Sequence, residues 1–206
     1  MIVALQYAGL SLLAYLLGSI PFGLILSAHF RRQDIRREGS GNIGATNVLR
    51  VAGVGPGLLT LMLDVSKGAF PVFLAVYLMK TPEGFWGRAG LSLVAMSALL
   101  GHLYPLYLGL RDGGKGVATA WGGILMISPV AALAVSLVFV MTAWISNRVS
   151  VASLSGAVSL PLTLWYATHS PVITLYAFAT TLLIIYRHKQ NIVRILQGTE
   201  PVIRKK

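Results

Sequence analysis

Seven long apolar stretches, separated by short polar connections, leave this chain few ways to fold. Inside a lipid bilayer the backbone must satisfy its own hydrogen bonds, so continuous apolar stretches of this kind become helices. A helix needs roughly 20 apolar residues to cross the hydrocarbon core. The candidate spans are residues 3–29, 58–79, 89–108, a short fourth span from 117, then 130–144, 151–167 and 172–186. Over 206 residues, 55% are hydrophobic and 11% charged, and the mean hydropathy is +0.73. The expected fold is therefore all-α and integral to the membrane, with residues 1–206 forming a single membrane-embedded domain. The absence of cysteine excludes disulfide, thiolate-metal and cysteine-nucleophile chemistry. The first segment has no basic n-region and no small-residue cleavage site before Arg31, so it reads as a retained span.

The apolar run from Val117 to about Trp144 is too long for one straight crossing. The Ser128-Pro129 pair divides it, because the residue before proline is pushed out of the helical region. The fourth span is then about 13 residues, or roughly 20 Å. Charge tests the resulting topology. With the amino terminus outside, the inner connections carry Arg31, Arg32, Arg36, Arg37, Arg50, Arg111, Lys115, Arg148, Arg187, Lys189, Arg194, Arg204, Lys205 and Lys206. The outer ones carry Lys80 and Arg88. This positive-inside bias predicts seven crossings with the carboxy terminus in the cytosol. It also accounts for the net charge of +11 without nucleic acid, since no basic face interleaved with aromatics is present.

Three polar stretches fall on the inner side: GSGNIGATN (residues 39–47), GGKGVAT (113–119) and HKQNI (188–192). Together they are expected to build one site for a small anion at the membrane surface. In the first, Gly39, Gly41 and Gly44 let backbone amides converge on an anion. Ser40, Asn42, Thr46 and Asn47 add neutral donors, and Arg50 can grip a phosphate with two prongs. The glycine spacing matches the dinucleotide fingerprint, but the flanks are a charged loop and a membrane helix, not a βαβ unit. A Walker loop fails because Ala45 stands at the lysine position. In the second stretch Lys115, flanked by Gly114 and Gly116, opens a helix that continues through Thr119, so a full charge reinforces a helix amino terminus. In the third, His188 and Asn191 share one helical face. The histidine suits proton transfer near neutral pH, and the asparagine can orient a hydroxyl or phosphate.

Other polar residues admit several readings. Asp64 and Lys67 lie one turn apart within a span, where ionised groups must pair or face a wet cavity. Lys67-Gly68 repeats the Lys-Gly step of Lys115, so Lys67 is a candidate substrate contact. His102 reads as a packed, hydrogen-bonded residue, and Arg148, Ser150 and Ser153 form a smaller inner cluster suited to the anion site. No carboxylate or histidine group has metal-ligand spacing, so neither a metal nor another cofactor is expected. No nucleophile elbow marks a serine triad.

The three stretches, in this order, resemble the bacterial PlsY family of membrane glycerol-3-phosphate acyltransferases. The likeness extends to LLGSIPFG (16–23), the Asp64–Lys67-Gly68 segment, GHLYP (101–105), RVSVAS (148–153) and YRHKQNIVRILQGTE (186–200). It implies transfer of a fatty acyl group from acyl phosphate to the sn-1 hydroxyl of glycerol 3-phosphate, giving lysophosphatidic acid and phosphate in phospholipid synthesis. It further implies a seven-helix bundle in the bacterial inner membrane with a cytosolic active site. The family pattern assigns Ser40, Thr46, Arg50 and Lys115 to the phosphate-rich pocket, with Ser150, His188 and Asn191 completing the site. The His29-to-Asp34 spacing also fits the His-x4-Asp signature of other glycerolipid acyltransferases, but here it straddles a membrane edge without their remaining motifs. Transport of an organic phosphate and a noncatalytic membrane role are the competing functions. Clustering of the polar residues on one face favours surface chemistry over transport, which normally requires routes to both faces.

Overall fold

A computed structural model describes residues 2–31, 34–80 and 84–204. Arg32, Lys205 and Lys206 of the predicted inner charge set lie outside the described residues, as does Gln33 of the His-x4-Asp spacing. The regular structure is helical throughout the described residues: α1 (Ile2–Gly18), α2 (Phe22–Arg31), α3 (Ala45–Ala52), α4 (Val54–Leu78), α5 (Gly84–Leu103), α6 (Val117–Ile127), α7 (Pro129–Ser146), α8 (Val149–Thr168), α9 (Pro171–Arg187) and α10 (Lys189–Leu196). Five segments are long and apolar enough to cross a membrane: Ile2–Arg31, Val54–Leu78, Gly84–Leu108, Pro129–Ser146 and Val149–Thr168. Val117–Ile127 and Pro171–Arg187 are shorter apolar helices. The chain divides into two compact units, residues 1–127 and 128–206.

Within the first unit, the first predicted span is broken rather than continuous. Pro21 brings no N–H to the helical ladder, and α1 closes with Ser19 N–H on the Tyr15 carbonyl at 2.9 Å. The interruption releases the Ile20 carbonyl from regular helical pairing, and Lys67 Nζ donates to it at 2.9 Å. The helices approach closely through glycine. A Cβ on Gly18 would collide with the Ala98 carbonyl, and one on Gly101 with the Tyr15 carbonyl, which locks α1 to α5. Gly68 and Gly122 do the same for α4 and α6, against the carbonyls of Thr119 and Val65. Lipid tails are as apolar as leucine, so membrane helices associate through such close packing rather than by hiding apolar surface from water.

The division at Ser128-Pro129 is present. Ser128 caps α7 by accepting the Ala131 N–H at 3.2 Å, with Pro129 in the first turn where no N–H is required. The helix before it has 11 residues, about 16 Å, shorter than the sequence suggests. In the second unit, α8 packs between α7 and α9, and Thr181 Oγ1 donates across to the Ala157 carbonyl at 2.6 Å. The outer face of α7 exposes Val130, Leu133, Leu137, Val140, Met141 and Trp144, as a lipid-facing helix must. The predicted surface helix after Arg187 is α10. Beyond it the chain returns to the α7–α8 junction, where Ile203 N–H donates to the Asn147 carbonyl at 2.8 Å and the Asn147 amide pairs with the Arg204 backbone.

Candidate active site

In the first unit, the loop carrying Ser40 to Thr46 sits on a small apolar base of Ile35, Ile43, Val48 and Ala52, with Leu24, Val51 and Leu108 against it. Gly39 and Gly41 adopt left-handed backbone at φ 58° and 69°. The loop's amides are committed differently from the sequence expectation. Ser40 N–H donates to Asn47 Oδ1, Gly41 N–H to the Glu38 carbonyl, and Gly44 N–H to Asn42 Oδ1. These three bonds shape the loop. Asn47, assigned to substrate from sequence, is only 2% exposed, and its Nδ2 donates to the Ile35 and Glu38 carbonyls. It ties the loop together. Ser40, Gly41, Thr46 and Arg50 remain exposed, and Gly44 and Asn42 are half-buried. Helical pairing in α3 begins at Asn47, so the amides of Ala45 and Thr46 lie ahead of it at the positive end of the helix.

The glycine-rich loop before α6 is pressed onto the end of α5. Gly114 N–H donates to the His102 carbonyl at 3.1 Å, and Gly113 and Gly116 pack where side chains would strike the Leu103 carbonyl and the Leu99 side chain. Lys115 is half-buried between them. Thr119 and Lys67, both assigned to substrate from sequence, are buried. Thr119 Oγ1 lies 3.0 Å from His102 Nδ1. Lys67, 5% exposed, pairs with Asp64 at 2.8 Å and lies over the Phe22 ring. A buried ammonium needs partners of this kind.

Asp34 is bound by Arg36, with Nε at 2.9 Å and Nη2 at 2.7 Å from its carboxylate. Hydrogen bonding to Arg36 holds its pKa at about 2. A carboxylate so engaged is a poor orienter for a histidine base, which weakens the His-x4-Asp reading further.

In the second unit, His188 and Asn191 meet at the α9–α10 junction and are 2% and 4% exposed. His188 Nδ1 lies 2.8 Å from the Ile184 carbonyl. A carbonyl only accepts, so Nδ1 carries the proton and a neutral ring has its lone pair at Nε2. Asn191 Nδ2 donates to Glu200 Oε1 at 2.7 Å, which fixes the amide orientation because an ionised carboxylate has nothing to donate. Asn191 Oδ1 is then left buried with no protein partner among the described residues, and so is Ser150 Oγ. Six buried side-chain atoms among the described residues lack a hydrogen bond, and these two are the ones gathered around a single carboxylate, which makes them the candidates for a ligand.

Glu200 is the residue that sequence reasoning missed. It is 5% exposed and accepts from Arg194 Nε at 2.8 Å, while its backbone carbonyl accepts from Arg148 Nε at 3.3 Å. Burial pushes the Glu200 carboxyl up. The Ser150 hydroxyl, near it though short of a well-formed hydrogen bond, together with Arg194 and Asn191, outweighs burial and leaves the pKa below the ordinary value. The one available signal was that Glu200 is the only acidic residue after Asp112, in an otherwise basic tail. Among the described residues no group of histidines and carboxylates could hold a metal ion.

The glycerol-3-phosphate acyltransferase family model matches residues 8–198. The chain belongs to this family. Curated glycerol-3-phosphate acyltransferases align over nearly the whole chain. The protein of Syntrophotalea carbinolica is 44% identical over 189 residues, covering 92% of this chain and 93% of the relative. That of Thermosynechococcus vestitus is 42% identical over 197 residues, covering 93% and 92%. The crystal structure of PlsY (YgiH), an integral membrane glycerol 3-phosphate acyltransferase, in its glycerol 3-phosphate form superposes with a TM-score of 0.88 at 38% identity, covering 96% of this chain and 95% of that one. Its lysophosphatidic acid form gives 0.85 at 37%. As a member of the glycerol-3-phosphate acyltransferase family, this protein is an acyltransferase with an integral membrane, all-helical fold.

Proposed function

We propose that this acyltransferase moves a fatty acyl group from acyl phosphate to the sn-1 hydroxyl of glycerol 3-phosphate. The hydroxyl oxygen forms an ester bond to the acyl carbon, the carbon–oxygen bond to phosphate breaks, and lysophosphatidic acid and inorganic phosphate leave. The observation that carries this reading is the pair of unsatisfied buried atoms, Asn191 Oδ1 and Ser150 Oγ, on the element that also holds His188 or beside its carboxylate anchor. An acceptor such as Asn191 Oδ1 suits an attacking hydroxyl. A neutral His188 can take that hydroxyl's proton at Nε2, or a substrate phosphate can take it directly.

Acyl phosphate is a mixed anhydride with a good leaving group, so the main demands are alignment and neutralisation of clustered negative charge. Arg50 and Lys115 supply positive charge, and Ser40, Thr46 and the amides at the α3 terminus supply donors. Arg148 adds charge beside Ser150. Asn47, Lys67 and Thr119 act from behind by holding the loops. The positive-inside distribution supports seven crossings with a cytosolic site in the bacterial inner membrane. Glycerol 3-phosphate then arrives from the cytosol, and the acyl donor enters from the lipid.

The test uses purified protein, labelled glycerol 3-phosphate and either palmitoyl phosphate or palmitoyl-CoA. Lysophosphatidic acid from the acyl phosphate alone is the expected result. Product from the thioester alone refutes the proposed donor.

A further inference from the structure

We propose that His102 is the positioning residue of the Gly113–Gly116 loop, setting where Lys115 stands and hence how tightly glycerol 3-phosphate is held. This rests on the reading of Lys115 as a phosphate ligand. His102 ends α5, is 4% exposed, and reaches both sides of Lys115 at once. Ahead of the lysine, its backbone carbonyl accepts the Gly114 N–H at 3.1 Å, and its imidazole occupies the volume that a side chain on Gly114 would need. Behind the lysine, its Nδ1 lies 3.0 Å from Thr119 Oγ1, in the first turn of α6. One residue therefore braces the loop at Gly114, through its backbone carbonyl and the bulk of its ring, and the start of α6 at Thr119, through Nδ1, where glycine alone would leave the chain loose.

The same ring nitrogen also faces a buried carboxylate. Asp64 Oδ1 lies 3.7 Å from Nδ1, and Asp64 is anchored by Lys67, which is anchored by the carbonyl freed at the α1–α2 break. A line of buried polar residues thus runs from Ile20 through Lys67 and Asp64 to His102 and Thr119, hydrogen-bonded or ion-paired at each step except the 3.7 Å approach of Asp64 to His102. Buried networks of this kind specify geometry when each member has a partner. Neither His102 nor Thr119 needs to touch substrate for this role.

Three variants test it: His102→Ala, His102→Asn, which keeps a polar atom near the Nδ1 position, and Thr119→Val, which keeps the shape but removes the hydroxyl. The readouts are the Kd of glycerol 3-phosphate by calorimetry in detergent micelles and its KM in turnover. Neither depends on how much of the preparation is folded, so a merely structural role leaves both unchanged. His102→Ala and Thr119→Val are expected to raise the Kd about tenfold, and the double variant no further than His102→Ala alone. His102→Asn should stay within about threefold of the parent. If Thr119→Val, the variant that best preserves packing, binds within about twofold of the parent, the proposal is overturned. Because Kd is read without the acyl donor, a parent protein that binds but does not turn over acyl phosphate refutes only the donor assignment.

Discussion

Replacing Glu200 should damage the second unit and the reaction together. The carboxylate accepts from Asn191 Nδ2 at 2.7 Å and from Arg194 Nε at 2.8 Å. Charge-assisted bonds contribute about 1.5–3 kcal/mol each. The Arg194 side chain is 30% exposed, so water replaces part of its bond and its share falls at the lower end. Asn191 is buried and would keep an unpaired donor, at the upper end. Glu200→Ala should therefore cost about 4–5 kcal/mol. In a chain of this length that lowers the apparent melting temperature by roughly 10 °C. Glu200→Gln keeps an acceptor for Asn191 but faces Arg194 without charge, and should cost about 2 kcal/mol. Turnover should fall as well, because Asn191 loses the bond that aims Oδ1. The double variant Glu200→Ala/Asn191→Ala should be no less active than the worse single variant, since both remove one unit of function. Thermal unfolding in micelles and kcat/KM for glycerol 3-phosphate measure the two effects. A melting shift below about 2 °C with kcat/KM retained would falsify the anchoring role.

Ser150→Ala should separate function from stability. Its hydroxyl approaches Glu200 without a well-formed hydrogen bond, so the melting temperature should fall by no more than the equivalent of about 1 kcal/mol while turnover drops; equal losses of both would refute a ligand-facing role. Acid should destabilise the protein partly through Glu200, whose folded pKa lies below its unfolded value. Its stabilisation is complete above the ordinary carboxylate range and is lost as pH falls through the depressed value. Melting curves from pH 7 to 3 should therefore show a drop in the acid range that Glu200→Gln diminishes. Gly122→Ala places a Cβ on the Val65 carbonyl, so α4 and α6 must separate, at about 1–3 kcal/mol. An unchanged melting temperature would show that the helices adapt without cost. Lys115→Ala should reduce turnover at least about 100-fold, the loss typical of a lone charge-stabilising donor; near-normal activity removes it from the phosphate site.

Most helices were legible in the sequence because their determinants are local. Apolar runs set α4, α5, α8 and α9 to within a few residues at most ends, and Ser128-Pro129 placed the division between α6 and α7. The Pro21 break was present in the sequence but passed over, because hydropathy averaged across a window does not register one missing N–H. The residue types of the candidate site were also legible, since glycine-rich loops beside lysine, histidine and asparagine at the ends of the apolar segments supply the donors and charge an anion needs. Their division of labour was not. Asn47 looks like Asn191 in sequence, yet one amide is turned onto its own loop and the other presents an orphaned oxygen. Lys67 repeats the Lys115 motif, yet lies buried against Asp64. Those differences come from which backbone carbonyl or carboxylate stands nearby after packing. Glu200 reaching Asn191, His102 reaching Gly114 and Thr119, and Asn147 holding Arg204 are such contacts. The sequence by itself determined a helical membrane protein with anion-suited edges, through hydropathy and backbone chemistry that act over one or two turns. Only the tertiary structure decided which polar groups satisfy one another and which are left for a substrate, because hydrogen-bond satisfaction depends on distances between segments that local sequence does not encode.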